Sequence, residues 1–329
     1  YQYQNAGKAQ SKGLEFTLGA IIVGNENFNW KADFNISANK NIIKDLGPLT
    51  QSGTDYYLQP SGWVNNLFDF KVQVNQPVGM FYGYVTEGRY EISDFDFNPA
   101  NNTYKLKAGI PSTSSVALGN KAAQPGDLKL RDLNGDGIID TKDQTDLGNA
   151  QPKFYGGFNQ TFKYKGFDMS LFFNFSVGNK VYNANKLEFT TKYQYTDQNM
   201  LAEMADRWKW FDGDVKITDP TALAALNANT TMWTPTGGNY FLHSYAIEDV
   251  SFLRLNNVTI GYSLPKDSLS MLGISNLRLY ATANNVFTIT GYSGYDPEVS
   301  TRKSTLTPAV DYAAFPRSRF FLTGVDITF

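Results

Sequence analysis

Apolar residues fall on every second position in several segments of this chain. In GLEFTLGAII one face carries Leu14, Phe16, Leu18, Ala20 and Ile22, while Glu15, Thr17 and Gly19 begin the other. FNWKADFNISA sets Phe28, Trp30, Ala32, Phe34, Ile36 and Ala38 against Asn29, Lys31, Asp33, Asn35 and Ser37. Successive side chains of a strand point to opposite faces, so this alternation predicts strands with one apolar and one polar side. The GNEN between them predicts a tight turn.

The same figure returns in FNQTFKY, where Phe158, Phe162 and Tyr164 share a face with one polar intrusion, Gln160. A Lys165–Gly166 turn follows, then FDMSLFFNF, with Phe167, Met169, Leu171, Phe173 and Phe175 on one side. NVTIGYSL, LRLYATAN and the terminal FLTGVDITF complete the set. Residues 43–150 and 182–245 are left as two long connections, unusual in a compact soluble domain. Short turns on one side and long loops on the other are the organisation of an outer-membrane barrel. Laid out down and up, about seven strands end with the C-terminus on the short-turn side, expected to be periplasmic. Closed single-chain bacterial barrels have an even number of strands, at least eight, so about seven would not close alone.

Composition fits that picture. Aromatics make up 15% of the 329 residues, yet mean hydropathy is only -0.36, as expected when apolar and polar faces alternate. No run approaches the roughly 18 apolar residues of a membrane-spanning helix, whereas a spanning strand needs only about 9–11 residues. The net charge of -2 offers no basic surface for nucleic acid. The chain has no cysteine and one histidine, His243, which removes thiol chemistry, histidine dyads and His-rich metal sites. No enzyme is expected. The second long connection holds one helix candidate, DQNMLAEMADRWKW, with Asp197 as cap and Met200, Met204 and Trp208 at helical spacing.

Several segments then resemble one family. DLKLRDLNGDGIIDTKDQTDLGNAQPKFYGGFNQTFKYKGFDMSLFFNFSVGNKVYN is similar to the signature region of SusC/RagA-type TonB-dependent outer-membrane transporters. YAIEDVSFLRLNNVTIGYSLP, LRLYATANNVFTITGYSGYDPE and FPRSRFFLTGVDITF follow in the family's order, and NAGKAQSKGLEFTL resembles the broader receptor pattern. The resemblance implies an all-β fold: a transmembrane antiparallel β-barrel with long extracellular loops. The chain would be the C-terminal part of a plugged barrel of about 22 strands. It implies a location in the outer membrane, assembly by the barrel-assembly machinery, and import of oligosaccharides or peptides. It further implies a SusD-like surface lipoprotein as partner, and drive from TonB–ExbB–ExbD through an N-terminal plug and TonB box that this sequence does not display.

RDLNGDGIIDTKDQ matches the spacing of a calcium loop. Its oxygen positions are Asp132, Asn134, Asp136, the Ile138 carbonyl, Asp140 and Asp143, with Gly137 at the sharp turn. Asp143 stands where an EF-hand has Glu, and a solvated Asn-Gly/Asp-Gly turn explains the same residues. Lys31, Asp33, Lys163, Asp168, Arg278 and Asp326 lie on the polar strand faces and are expected to face the lumen, because a charge facing lipid is costly. Trp63, Trp208, Trp210 and Trp233 could stack on sugar rings or pack within the loops. Phe329 resembles the C-terminal aromatic of the barrel-assembly signal. Two other readings stay open: a soluble, calcium-dependent glycan-binding β protein, and a passive porin.

Overall fold

The computed structural model describes residues 7–49, 53–192, 197–265, 269, 273–302 and 304–329. Its main element is one seven-stranded antiparallel sheet. The strands are β1 (Lys8–Gly24), β2 (Phe28–Asp45), β3 (Phe154–Tyr164), β4 (Phe167–Val177), β5 (Phe252–Ser263), β6 (Asn276–Thr290) and β7 (Phe320–Thr328). Each pairs with its neighbours in sequence, so the sheet is a plain meander whose two edges are β1 and β7.

Register brings the expected apolar faces together. Phe16 lies opposite Ile36, Phe34 opposite Phe158, Phe158 opposite Phe173, Leu171 opposite Val258, and Leu279 opposite Val325. Cross-strand rings stack along this face, with centroids 4.4 Å apart for Phe158 and Phe173 and 5.7 Å for Trp30 and Phe162. Gln160, the polar intrusion, is satisfied there: the Trp30 indole N–H donates to its side-chain oxygen at 2.8 Å. Such pairing removes the cost of placing two polar groups on an apolar face. The face is open, with Leu14 82% and Phe321 77% exposed. A soluble sandwich would hide it in a core; a barrel wall turns it to lipid.

One irregularity decides which side chains face inward at the upper end of β5. Between Phe172/Phe173 of β4 the β5 partner shifts from Asn257 to Leu255, leaving one extra residue in β5. An extra residue reverses the alternation. Asn257, Thr259 and Gly261 share the polar face, and beyond the shift Arg254 and Phe252 take it instead of Leu255 and Leu253. Without it, Arg254 would point at lipid.

The turns at 25–27 and 165–166, the 264–275 connection and the C-terminus share one end of the sheet. There Lys165 N–H donates to the Asn27 carbonyl at 3.2 Å and Ser275 N–H to the Thr328 carbonyl at 2.7 Å. The other end carries three connections, 46–153, 178–251 and 291–319. Their described residues are packed rather than loose. A four-stranded sheet forms within the first, and a three-stranded sheet joins Lys180–Asn183 to Ile247–Asp249 and Val310–Asp311. One core gathers Tyr90, Leu128, Ile139, Met204, Leu223 and Trp233. A second gathers Trp63, Phe70, Phe81, Tyr182, Leu242 and Val310. β1 and β2 run well past the predicted Leu14–Ile22 and Phe28–Ala38, and Ile43 at the end of β2 packs on Val72 of the loop region.

The helix expected over 197–210 does not form. Only a 3-10 turn at Ala202–Asp206 is present, entered from Leu201, and Asp197 caps no helix. Arg207 is already extended and bridges Met232, whose carbonyl accepts from Trp208 N–H at 2.9 Å. Backbone pairing and burial of Met204 and Trp208 win over local helical spacing.

Candidate functional site

The polar face of the sheet carries all six charged residues singled out in the sequence. Lys31 Nζ sits 3.0 Å from Asp33 Oδ1 on the same strand. Lys163 lies directly opposite Asp168 in the β3–β4 register. Arg278 on β6 reaches across β5 to grip Asp168 on β4 with two parallel bonds, Nε to Oδ1 at 2.8 Å and a terminal nitrogen to Oδ2 at 2.7 Å. Its other terminal nitrogen donates to Asp326 on β7 at 3.1 Å. One guanidinium thus ties together three of four neighbouring strands through the fork geometry that arginine alone provides.

Gly261 makes that reach possible. A Cβ at this position would lie 2.5 Å from Arg278 Nε and 2.6 Å from Asp168 Oδ1. The strand between the ion partners therefore has no side chain where the guanidinium crosses it. Shorter polar contacts continue the ladder: Thr259 with Thr282 at 2.9 Å, Asn257 with Asn284 at 2.9 Å and Ser170 with Asn159 at 3.2 Å.

At the loop end a second charge cluster was not picked out from the sequence. Arg254 is 2% exposed and donates to Asp296 and Glu298, each at 2.7 Å, and to Thr288 Oγ1 at 2.9 Å. Arg317 pairs with the same two carboxylates, at 2.9 and 3.0 Å. The two cations and two anions pin the 291–319 connection onto the wall. The signal was present as separate charges in FLRLNN, GYDPE and FPRSRF, but nothing in a linear sequence places them together.

The acidic loop folds around its own amides. Asp132 accepts from the N–H groups of Gly135 and Gly137 at 2.6 and 2.8 Å. Those bonds, Gly137's first, hold its carboxyl below the usual value. Asp136 accepts from Ile138 N–H at 3.0 Å, with Asn134 donating to its other oxygen at 2.9 Å. Asp140 accepts from Lys142 N–H at 2.7 Å. Gly137 has φ +82°, the left-handed turn expected at that position. Asp143 is buried, its oxygens bonded to Leu133 and Asp140 N–H groups at 2.9 and 2.8 Å. Among the described residues no three acidic or histidine side chains converge as a metal-binding group.

The loop tryptophans pack inward. Trp63, Trp208 and Trp233 are buried in the two cores, Trp210 is partly buried against the first, and Trp63 Nε1 donates to the Tyr182 hydroxyl at 2.6 Å. None is placed as a stacking platform. His243 is buried among Trp233, Phe241 and Tyr245, with Nδ1 2.8 Å from Thr86 Oγ1. Burial pushes its pKa down to about 3, so it packs as a neutral ring. Asp69 is buried with Ser61 N–H and Oγ donating to it at 2.7 and 2.5 Å, and burial pushes its carboxyl up to about 7. Phe329 follows β7 at the short-turn end and is 87% exposed, in line with the apolar face of that strand.

No family model matches the chain. Over its whole length it is 30% identical to TonB-dependent receptor P3 of Formosa agariphila. It is 25% identical, over 99% of its length, to TonB-dependent receptor SusC of Bacteroides thetaiotaomicron. The chain spans 29% and 27% of these two proteins. Among solved structures, that of the RagAB peptide transporter superposes on all of this chain and 30% of the other, with a TM-score of 0.70 at 20% identity. At that identity the likeness speaks for the fold.

Proposed function

We propose that the chain, similar along its whole length to TonB-dependent receptors, is of the SusC/RagA type and forms the C-terminal part of such a receptor's barrel. In this reading the receptor imports oligosaccharides or peptides across the outer membrane. A SusD-like lipoprotein covers its outer mouth and TonB–ExbB–ExbD supplies the drive. The packed connections stand outside the cell, the short turns and C-terminus in the periplasm. The six charged residues of the polar face line the lumen.

The observation that carries the reading is the two-faced wall. A continuous exposed apolar face runs across seven strands, backed by a face of ion pairs and amides. A soluble glycan-binding protein would leave that apolar face in water. A passive porin would let cargo through without TonB, so it parts from this reading in uptake rather than in the wall.

Uptake of labelled oligosaccharides and peptides by cells carrying the full receptor tests the proposal. Uptake of at least one class is expected, and it should stop when TonB is removed. Uptake that persists without TonB, or none at all, would overturn it.

A further inference from the structure

Toward the loop end, the apolar face of β1 and β2 turns basic. On β1 that face runs Ile22, Ala20, Leu18, Phe16 and Leu14, and the next position on it is Lys12. On β2 it runs from Phe28 to Ala38, and the next position is Lys40. Register between the two strands is regular over this stretch, with Leu14 opposite Ala38 and Lys12 directly opposite Lys40. Leu14 to Ile22 covers nine positions, within the about 9–11 residues of a spanning strand. The two lysines therefore stand at the loop-side rim of the apolar band, where a charge costs far less than at mid-band. The same rim is apolar on the next four strands: Phe154 on β3, Val177 on β4, Leu253 on β5 and Ile289 on β6.

Lys12 and Lys40 have no partner of opposite charge. Together with Lys153, which immediately precedes β3, they are exposed and line one hollow of about 440 Å³, with Leu14 and Ala38 as its apolar wall. No carboxylate lines it. Among the described residues none of the three lysines forms an ion pair, whereas Lys31 and Arg278 on the opposite face both do. Directly opposite residues have Cβ atoms about 4.5–5.5 Å apart, and like charges so placed destabilise the pairing. An anion between them turns that repulsion into attraction, because ammonium groups donate charge-assisted bonds to phosphate oxygens.

We propose that this hollow binds the phosphate of an outer-leaflet lipid headgroup. Lys12 and Lys40 bracket the phosphate, Lys153 adds to the positive potential, and the acyl chains lie down the exposed side chains of Leu14 and Phe16. A phosphorylated lipid meets both features of the site, with an anion at the height of the lysines and hydrocarbon directly below them. A free phosphate would use the lysines and leave the apolar wall bare. The inference rests on the barrel reading, which puts the loop end at the outer leaflet.

The test is native mass spectrometry of the full receptor, with plug and lipoprotein, in a nonionic detergent. Three probes are titrated: bisphosphorylated lipid A, the same lipid with its phosphates removed, and inorganic phosphate. The phosphorylated lipid should bind. Removing its phosphates, or combining Lys12→Gln with Lys40→Gln, should weaken binding by about tenfold or more, the loss of at least one charge-assisted bond. Lys12→Arg with Lys40→Arg should retain binding, and Lys165→Gln, at the short-turn rim, should change nothing. Unboiled gel mobility confirms that each variant is folded. Equal binding of the two lipids overturns the site, as does inorganic phosphate binding as tightly as the phosphorylated lipid. Equal binding by the double glutamine variant also overturns it, the result expected if a carboxylate beyond the free edge of β1 is the lysines' partner. A receptor that takes up cargo with TonB yet binds no lipid refutes the site and leaves the importer reading standing. A receptor that stays in solution without detergent instead sinks the barrel reading, and the site with it.

Discussion

Arg278 and Asp168 sit on strands that are not neighbours, yet share two hydrogen bonds of 2.8 and 2.7 Å across the bare backbone of Gly261. The contact staples β4 to β6 over β5 and extends to β7 through Asp326. A missing side chain in one strand is as much a part of this bond as the charges in the other two.

Gly261→Val should break that staple, because its side chain occupies the path of the guanidinium. Overpacking of this kind costs about 1–3 kcal/mol. The denaturation midpoint of the full receptor in detergent should fall, and Asp168→Asn should add little to the valine variant. Additive losses would show that the two residues act separately.

Arg254→Ala leaves Asp296 buried with Arg317 as its remaining cation and removes the wall's hold on the 291–319 connection. Removing one partner of a buried pair costs about 3–5 kcal/mol. Hydrogen exchange in 291–319 should accelerate while the 159–171 strand core stays protected. Unchanged protection of 291–319 would count against the clamp.

Asp69 gives the loop region a pH dependence of defined sign. Its folded pKa of about 7 lies above the ordinary 3.8, so the folded chain holds a proton that the unfolded chain releases between those values. The stability this provides is complete below about 3.8 and is lost as pH rises through about 7. Exchange of amides around 61–72 should therefore be slower, after correction for intrinsic rates, at pH 5 than at pH 8. Asp69→Asn should flatten the difference; a profile that survives the substitution assigns it elsewhere.

The calcium-loop spacing is put forward here as a proposal, with Asp132, Asn134, Asp136, the Ile138 carbonyl, Asp140 and Asp143 as its oxygen set. Calorimetry of the full receptor should register calcium heat that Asp136→Ala removes. Identical heats from both proteins would leave the loop as a self-bonded turn.

Deleting Phe329 should reduce the amount of folded receptor in the outer membrane, read as heat-modifiable protein on unboiled gels. Among the described residues its ring, 87% exposed, belongs to no buried cluster whose loss would confuse the result. Equal yield would mean the terminal aromatic is not an assembly signal.

The alternation of side chains is a local property, and it carried the wall. It placed Leu14, Phe34, Phe173, Ile260 and Val325 on one face and Lys31, Asp168 and Arg278 on the other, because a strand repeats every two residues whatever surrounds it. The resemblance of DLKLRDLNGDGIIDTKDQ and its companion segments pointed to the family, and the relatives that match along the whole chain are TonB-dependent receptors.

What lay beyond reach was set by contacts distant in sequence. Arg254 could be assigned neither a face nor a partner, since the register shift in β5 and the return of 291–319 decide both. Helical spacing at 200–208 failed for the same reason: Met232 offers Trp208 a backbone partner that the local pattern does not contain. Alternation thus determined by itself the apolar and polar sides of the wall strands wherever their register is regular. Tertiary structure alone decided which charges meet, which glycine lets them, and which tryptophans are buried in the loops, because those outcomes depend on backbone register and on chain segments that only folding brings together.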